Sequence, residues 1–484
     1  MGTLFPIMVL ARLHDQASPT RASSSGHRQV SCWSLGPRTA QSEGRPTSLA
    51  IRVPRVPVRA AEPTLSRAWK VNPLAMFCGI DWSERHHDVA VVDQDGILVA
   101  KRRISDDATG FAELLTMLAD IGDHGQDPVP VAIETPRGLL VAALRSTERL
   151  VYAINPMAVA RYRERWTPAR SKSDHADAMV LANILRTDRQ RHRPLPGDSE
   201  LVRSIAVLAR AHQDATWRRT KAVQELRSLL REYYPGFLDA FAEKGPANLA
   251  SADARAVLAI APTPADGARL TRARIAAALR RGGRQRNIAP VTDTLHRVLR
   301  QPQLRQPSLV EQALGQQALA LLAMVNAACD GVDQLGETTA AAFRQHPDYR
   351  IVTSFPGLGE LTGARVLAEI GDDRTRFTDA RSLRAYAGSA PVTRASGRSH
   401  IVTHRRIKND RLAAVGFSWA FMAITHSCAA RAHYDRRRAH GDGHPAALRN
   451  LFNRFLGQLY HCLGTGQPYD PDKAFGTHEP AAAA

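Results

Sequence analysis

The chain has 484 residues, of which 44% are hydrophobic and 23% charged, so it is long enough for two or three domains with cores of their own. A formal net charge of +19 suggests a polyanionic partner, most simply nucleic acid, or else the solubility charge of a protein from an Arg-rich proteome. The five cysteines (Cys32, Cys78, Cys329, Cys428 and Cys462) are scattered without a C-x-x-C pair, which speaks against a zinc ribbon or a disulfide framework, and no uninterrupted apolar run reaches transmembrane length.

Residues 1–75 are rich in Arg, Ser and Pro and lack sustained periodicity, so they read as a disordered basic leader. "FPIMVLA" is too short and wrongly flanked for a secretory signal, and the Arg-rich character vaguely resembles a transit peptide. The favoured reading starts the working protein at Met76, with the leader as translated upstream sequence.

From Met76 the pattern changes. "MFCGIDWS" is a short apolar strand ending in an acid, and "HHDVAVVDQDGILVAKRRI" reads as two strands around a "DQDG" turn. A helix ("GFAELLTMLADI"), a strand ("VPVAIE"), a helix from about Gly138, a strand ("VYAI") and a helix opened by "NP" follow. Three antiparallel strands followed by β-α-β-α units predict a mixed sheet with helices on its faces, an α/β domain over 76–195.

Within this domain "SKSDHADAMVLANIL" (171–185) predicts an amphipathic helix in which Asp174 and Asp177 continue the apolar stripe of Ala178, Leu181, Ile184 and Leu185. Asp81 ends the first strand and Glu134 the fourth, so both fall at one edge of the sheet, where ligands usually bind. The two helix acids stand about 5–6 Å apart between Cβ atoms. Two like charges at about 4 Å repel by roughly 4 kcal/mol at an effective dielectric near 20, so a cluster of four either takes up protons or binds cations. Hard oxygen ligands suit Mg2+ or Mn2+, and two such ions about 3.5–4 Å apart serve phosphodiester chemistry. Each acid also has a structural reading: Asp81 as a turn cap, Glu134 as a loop acid before Pro136, Asp174 as a first-turn helix acid behind Ser171 as N-cap. Glu84, Asp88, Asp93 and Asp95 read as turn or surface acids, and His175 as a solvated residue off the acid face.

Residues 196–345 are helical in pattern. "ELVRSIAVLARAHQDATWRRTKAVQELRSLLREYY" is long, amphipathic and basic, either a coiled-coil-like arm or a bundle helix with a solvated basic face. "PSLVEQALGQQALALLAMVNAACDGVDQLGETTAAAF" predicts a second long helix returning antiparallel to it.

The unit at 346–470 opens with "SFPGLGELTGARVLAEIGD". Its Gly357 and Gly359 fit a helix-hairpin-helix, whose small residues and helix-terminal amides contact phosphate, or an ordinary helical corner. Further on, "YAGSAPVTRASGRSHIVTHRRIKND" sets Ser396 in a basic hairpin with Arg394, Arg398, His400, His404, Arg405, Arg406 and Lys408. Guanidinium groups around an exposed serine suit a nucleophile attacking phosphate, and equally a turn that contacts DNA backbone. "VGFSWAFMAITHSCAA" reads as a buried helix, and 471–484 as a disordered tail.

The motifs "GIDWSERHHDVAVVD", "AIETP", "INPMAVARYRERWTPARSKSDHADAMVLANIL", "FPGLGELTGARVLAEIGD" and "YAGSAPVTRASGRS" occur in the order seen in the DEDD transposases of the insertion-sequence-110 family, and the chain resembles that family over about 76–470. The resemblance implies a RuvC-like (RNase H-like) first domain, a helical region, and a mainly α C-terminal serine transposase domain. It puts the acid tetrad on Asp81, Glu134, Asp174 and Asp177, the metal Mg2+ or Mn2+ among them, and the catalytic serine on Ser396. It further implies double-stranded DNA as substrate, a covalent 5′-phosphoserine intermediate and a composite site shared between subunits of a homo-oligomer, dimer or tetramer. A structured guide RNA encoded by the element would bridge donor and target DNA, in a cytoplasmic, nucleoid-associated protein with no membrane partner. One departure stands out: the family usually has an apolar residue where Ser389 follows Gly388. Two other functions remain open at this point, a metal-dependent Holliday-junction-type endonuclease in which water attacks, and a non-catalytic nucleic-acid-binding protein.

Overall fold

The structure is a computed structural model that describes residues 75–123, 127–166, 174–242, 247–397 and 399–475. The basic leader therefore lies outside the described residues, except for Ala75 at its end.

The first unit is built on a five-stranded sheet. Strand β1 (Phe77–Asp81) pairs antiparallel with β2 (His86–Val92), and β2 pairs antiparallel with β3 (Leu98–Ser105). After helix α1 (Ala108–Asp120), strand β4 (Val131–Ile133) returns parallel to β1. Helix α2 (Leu139–Ser146) then crosses over to β5 (Val151–Ala153), which lies parallel to β4. The sheet order is β3-β2-β1-β4-β5, a mixed sheet as the strand pattern predicts. The "DQDG" turn is held by Asp93, whose Oδ1 accepts the amides of Asp95 and Ile97 at 2.9 Å, with Gly96 at φ +85. Asp93 and Asp95 are turn acids, as read from the sequence.

The two sheet faces divide by the alternation of the strands. Cys78, Ile80, Val131 and Ile133 face the core shared with α1 and α2. Ala132 faces the other side, where Val180, Leu181, Ile184 and Leu185 of α4 (Asp174–Asp188) pack. Helix α3 (Pro156–Trp166), opened by Asn155, whose side chain accepts the Met157 amide, covers the same side.

A 34-residue helix, α5 (Glu200–Tyr233), and a 37-residue helix, α11 (Ser308–Arg344), run antiparallel, as their sequence pattern predicts. They do not form a bare coiled coil. Their far ends carry a helical lobe of α6 (Pro235–Ala240), α7 (Ala252–Ile260), α8 (Pro264–Arg269), α9 (Arg272–Arg281) and α10 (Ile288–Val298), and share one core with it. Among the described helices α11, the second long helix read from the sequence, is alone long and apolar enough to cross a membrane by length and composition. Its buried positions Ala318, Leu322, Val325, Cys329 and Val332 recur every three or four residues, the spacing of one helix face.

The near ends of α5 and α11 join the C-terminal unit: α12 (Tyr349–Thr353), α13 (Glu360–Ile370), α14 (Ala380–Tyr386), α15 (Asp410–His426), α16 (Cys428–Ala439), α17 (His444–Thr465) and α18 (Pro471–Phe475). The fully buried Trp419 of α15 stacks on Phe455 at 5.1 Å between centroids, in the predicted buried helix. A two-stranded hairpin, β6 (Val392–Ser396) and β7 (Ser399–Thr403), stands between α14 and α15. The disordered tail expected from 471 is helical over Pro471–Phe475, because α18 is pinned, and the rest of it lies outside the described residues. The Ala474 carbonyl accepts from Arg454 and Gln458, and Phe475 packs against Phe455.

Candidate acidic site and basic hairpin

Asp81 is the last residue of β1, and Glu134 follows β4 directly. Gly79 pairs with Ala132 across the two strands. Two residues further on, alternation turns Asp81 and Glu134 to the same sheet face as Gly79 and Ala132. That face carries α4. A Cβ on residue 79 would overlap the Ala178 carbonyl oxygen and lie 2.5 Å from the Ala182 amide nitrogen, so only glycine lets the helix backbone settle on β1. The neighbouring residue on the helix is Asp177, which is 3% exposed.

The result is a cleft of about 580 Å3 lined by Asp81, Glu134 and Asp177. Three of the four acids expected from the sequence thus meet at one place. The fourth, Asp174, opens α4, and its side chain lies outside the described residues, as do those of His175 and Ser171. The arrangement shows why Asp177 continues the apolar stripe of α4: that stripe is the face laid on the sheet.

Two further residues shape the cleft. Asp88 was read from the sequence as a turn or surface acid, and this is corrected. It lies inside β2 directly opposite Asp81, is 5% exposed, and lines the cleft. Arg103 of β3 donates to both its oxygens, at 3.1 and 2.8 Å, which offsets a charge the sheet has buried. The signal was available in the hairpin register, since the short "WSER" connection between β1 and β2 sets which β2 residue faces the end of β1. The second residue is Arg163 of α3, whose guanidinium forms an ion pair with Asp177. Asp177 Oδ1 makes no well-oriented hydrogen bond there, so the contact is one of charge. Glu84 is exposed on the cleft rim, together with Trp82.

The donor set is all carboxylate oxygen, which suits Mg2+ or Mn2+ rather than zinc. Among the described residues no three His, Cys, Asp or Glu side chains are close enough to hold one ion. The acids line one cleft without being close enough to share an ion.

The predicted basic hairpin is present. Ser396 ends β6 and pairs with Ser399, Gly397 turns the chain at φ +54, and both Ser396 and Arg394 are exposed. Arg398 lies outside the described residues. Arg406 is exposed, and Lys408 Nζ lies 2.9 Å from Asp410. Ser396 is not among the residues that line the acidic cleft. Ser389 is buried, with Oγ 2.9 Å from Asn453 Oδ1 and 3.2 Å from the Arg384 carbonyl, so this polar side chain is satisfied.

The two glycines before α13 differ. Gly357, at φ +81, packs on α15, where an added Cβ would be 2.6 Å from the Ala423 amide nitrogen. Gly359 N-caps α13 and has open space at its Cβ position.

Residues 78–235 match a family model described as "Transposase", and residues 349–435 one described as "Transposase IS116/IS110/IS902 family". The chain is 57% identical over 412 residues to the mini-circle putative transposase for IS117 of Streptomyces coelicolor, a match spanning 85% of this chain and 99% of that protein. It is 29% identical over 404 residues to the uncharacterized 42 kDa protein of insertion element IS900 of Mycobacterium paratuberculosis, spanning 82% and 97%. To the uncharacterized 43.6 kDa protein of insertion element IS110 of Streptomyces coelicolor it is 29% identical over 313 residues, spanning 63% and 73%.

Proposed function

The chain belongs to the IS110/IS116/IS902 family of DEDD transposases, and on that premise we propose that it cuts and rejoins DNA through Ser396, assisted by a divalent cation held by Asp81, Glu134, Asp174 and Asp177. The observation that carries the reading is the convergence of Asp81, Glu134 and Asp177 on one cleft from three elements far apart in the chain. The strand order β3-β2-β1-β4-β5 supports a RuvC-like first domain.

In the proposed reaction the Ser396 Oγ–P bond forms as the P–O3′ bond breaks. The serine gives up its proton, the departing 3′ oxygen takes one, and the 5′ phosphate stays on the protein. Arg394 and Arg406, both exposed, would offset charge that develops on the phosphate oxygens. A bound Mg2+ or Mn2+ supplies Lewis-acid stabilisation of the attacking and leaving oxygens. That Ser396 does not line the acidic cleft supports a site assembled from two copies of the chain. Gly359 at the start of α13 suits backbone phosphate contact. The +19 charge suits both double-stranded DNA and a structured guide RNA that leaves sequence reading to base pairing.

The test uses DNA carrying the element end, labelled at its 3′ terminus, with Mg2+ and a denaturing gel. The native protein should yield a labelled protein adduct that Ser396→Ala and Asp81→Asn both abolish. Cleavage by Ser396→Ala without an adduct would instead identify a nuclease that uses water. Unchanged function in Asp81→Asn and Asp177→Asn would leave only nucleic-acid binding.

A further inference from the structure

Beside the basic hairpin is a second cavity, of about 160 Å3, that the proposed reaction does not use. Its walls are mostly apolar, with Ala387, Ala413, Phe417, Pro445 and Phe452 joined by the buried Ser389 and by His404. Its rim is cationic, with Arg405 and Lys408 from the segment after the hairpin and Arg449 from α17. The rim is anchored: Gly388 takes φ +72, and the Lys408 stem lies over it where a Cβ would stand. Arg405 Nε is shut off from solvent and has no hydrogen-bond partner among the described residues. A buried guanidinium nitrogen left open in this way costs free energy until an acceptor arrives.

Size and chemistry together select the occupant. An apolar cavity of about 150 Å3 takes a single benzene-sized ring. An apolar slot with an aromatic wall and cations at its mouth fits a group that is flat and ring-shaped at one end and anionic at the other. A nucleotide has that form, with its base against Phe417 and its phosphate on Arg405, Lys408 and Arg449. Building on the DNA-processing reading above, we propose that this cavity receives one unstacked, pyrimidine-sized base of the bound DNA, and so fixes the strand that runs past Ser396. Taking a base out of the stack costs a few kcal/mol, least where the strand is already single, so the cavity acts on opened DNA.

The experiment uses the full chain and three probes at about 100 mM salt: dT20, an abasic DNA 20-mer of equal charge, and rU20. The native protein should bind dT20 about fivefold or more tighter than the abasic strand, the contribution of one stacked base. Ala413→Leu, which fills the cavity, should erase that difference while still binding both strands. Phe417→Leu keeps an apolar wall, removes the ring, and should also erase it, which decides the matter should Ala413→Leu not fold. Arg449→Gln should weaken both DNA strands alike. Equal binding of dT20 and the abasic strand by the native protein would overturn the proposal, as would a preference that survives both cavity variants. A preference sensitive to these variants but seen only with rU20 would assign the cavity to RNA and overturn it for DNA. Failure to bind any of the three would sink the nucleic-acid reading itself.

Discussion

The α-carbon of Gly79 lies directly against the Ala178 carbonyl, and this contact sets the depth at which α4 lies on β1. Asp81 is two residues along the strand and Asp177 one residue back along the helix, so the separation of the two acids depends on a missing methyl group.

Gly79→Ala should therefore harm the site as well as the fold. The obstacle is helix backbone, which cannot swing aside as a side chain can, so the expected loss is about 1–3 kcal/mol of stability or more. Thermal unfolding should show that loss. DNA cleavage below the unfolding temperature should fall further than the folded fraction does, because α4 must ride outward and carry Asp177 away from Asp81.

The Asp88–Arg103 pair should be asymmetric to mutation. Arg103→Gln removes a bidentate partner from a buried carboxylate, whereas Asp88→Asn removes the buried charge itself and leaves a half-exposed arginine that water can solvate. The expected order in chemical denaturation is Arg103→Gln less stable than Asp88→Asn, by about 1 kcal/mol. The reverse order would remove Asp88 from the charge balance of the cleft.

Arg163 holds the Asp177 carboxylate in the absence of an ion, and so competes with one. Arg163→Gln should lower the Mg2+ or Mn2+ concentration at which the melting temperature starts to rise, since a ligand that binds only the folded state stabilises it in proportion to affinity. An unchanged or higher threshold would make Arg163 a structural residue only.

Glu369 on α13 ties α5 to the base of the hairpin. It is 3% exposed and accepts from Arg210 of α5 at 2.7 and 3.1 Å and from Asn409 at 2.7 Å, while Asn409 caps α15. Glu369→Ala should cost about 2–3 kcal/mol, the scale of hydrogen bonds to a charged group. It should also speed hydrogen exchange in the first turn of α15 more than in α17.

His212 gives a pH dependence of defined sign. Burial, then the Arg365 and Arg219 charges, push its pKa down from 6.5 to about 4. The unfolded chain binds a proton on this residue at a pH where the folded chain does not, so its contribution is whole above about 6.5 and is lost as pH falls toward 4. Carboxylates also titrate below pH 5, so the informative quantity is a difference. The drop in melting temperature from pH 7 to pH 5 should be smaller in His212→Gln than in the native protein, and an equal drop would refute the assignment.

What the sequence determined by itself is what local pattern carries. Alternating residues gave the strands of the mixed sheet, a 3.6-residue period gave the paired long helices, and the ends of "CGID" and "VAIE" put Asp81 and Glu134 at the sheet edge. The apolar stripe of 171–185 showed that Asp177 faces inward, and the motif order was enough to reveal the family. What only the tertiary structure decided are relations between residues distant in the chain. Asp88 joined the cleft through strand register, Arg163 through the packing of α3 against α4, and Gly79 acquired its role only when a helix a hundred residues later came to rest on it. Likewise Gly357 packs against α15, and residues 471–475 fold because Phe455 and Arg454 receive them. The reason is physical: periodicity records which way a side chain faces, since that follows from its own backbone, but it holds no information on which surface arrives to meet it or how closely.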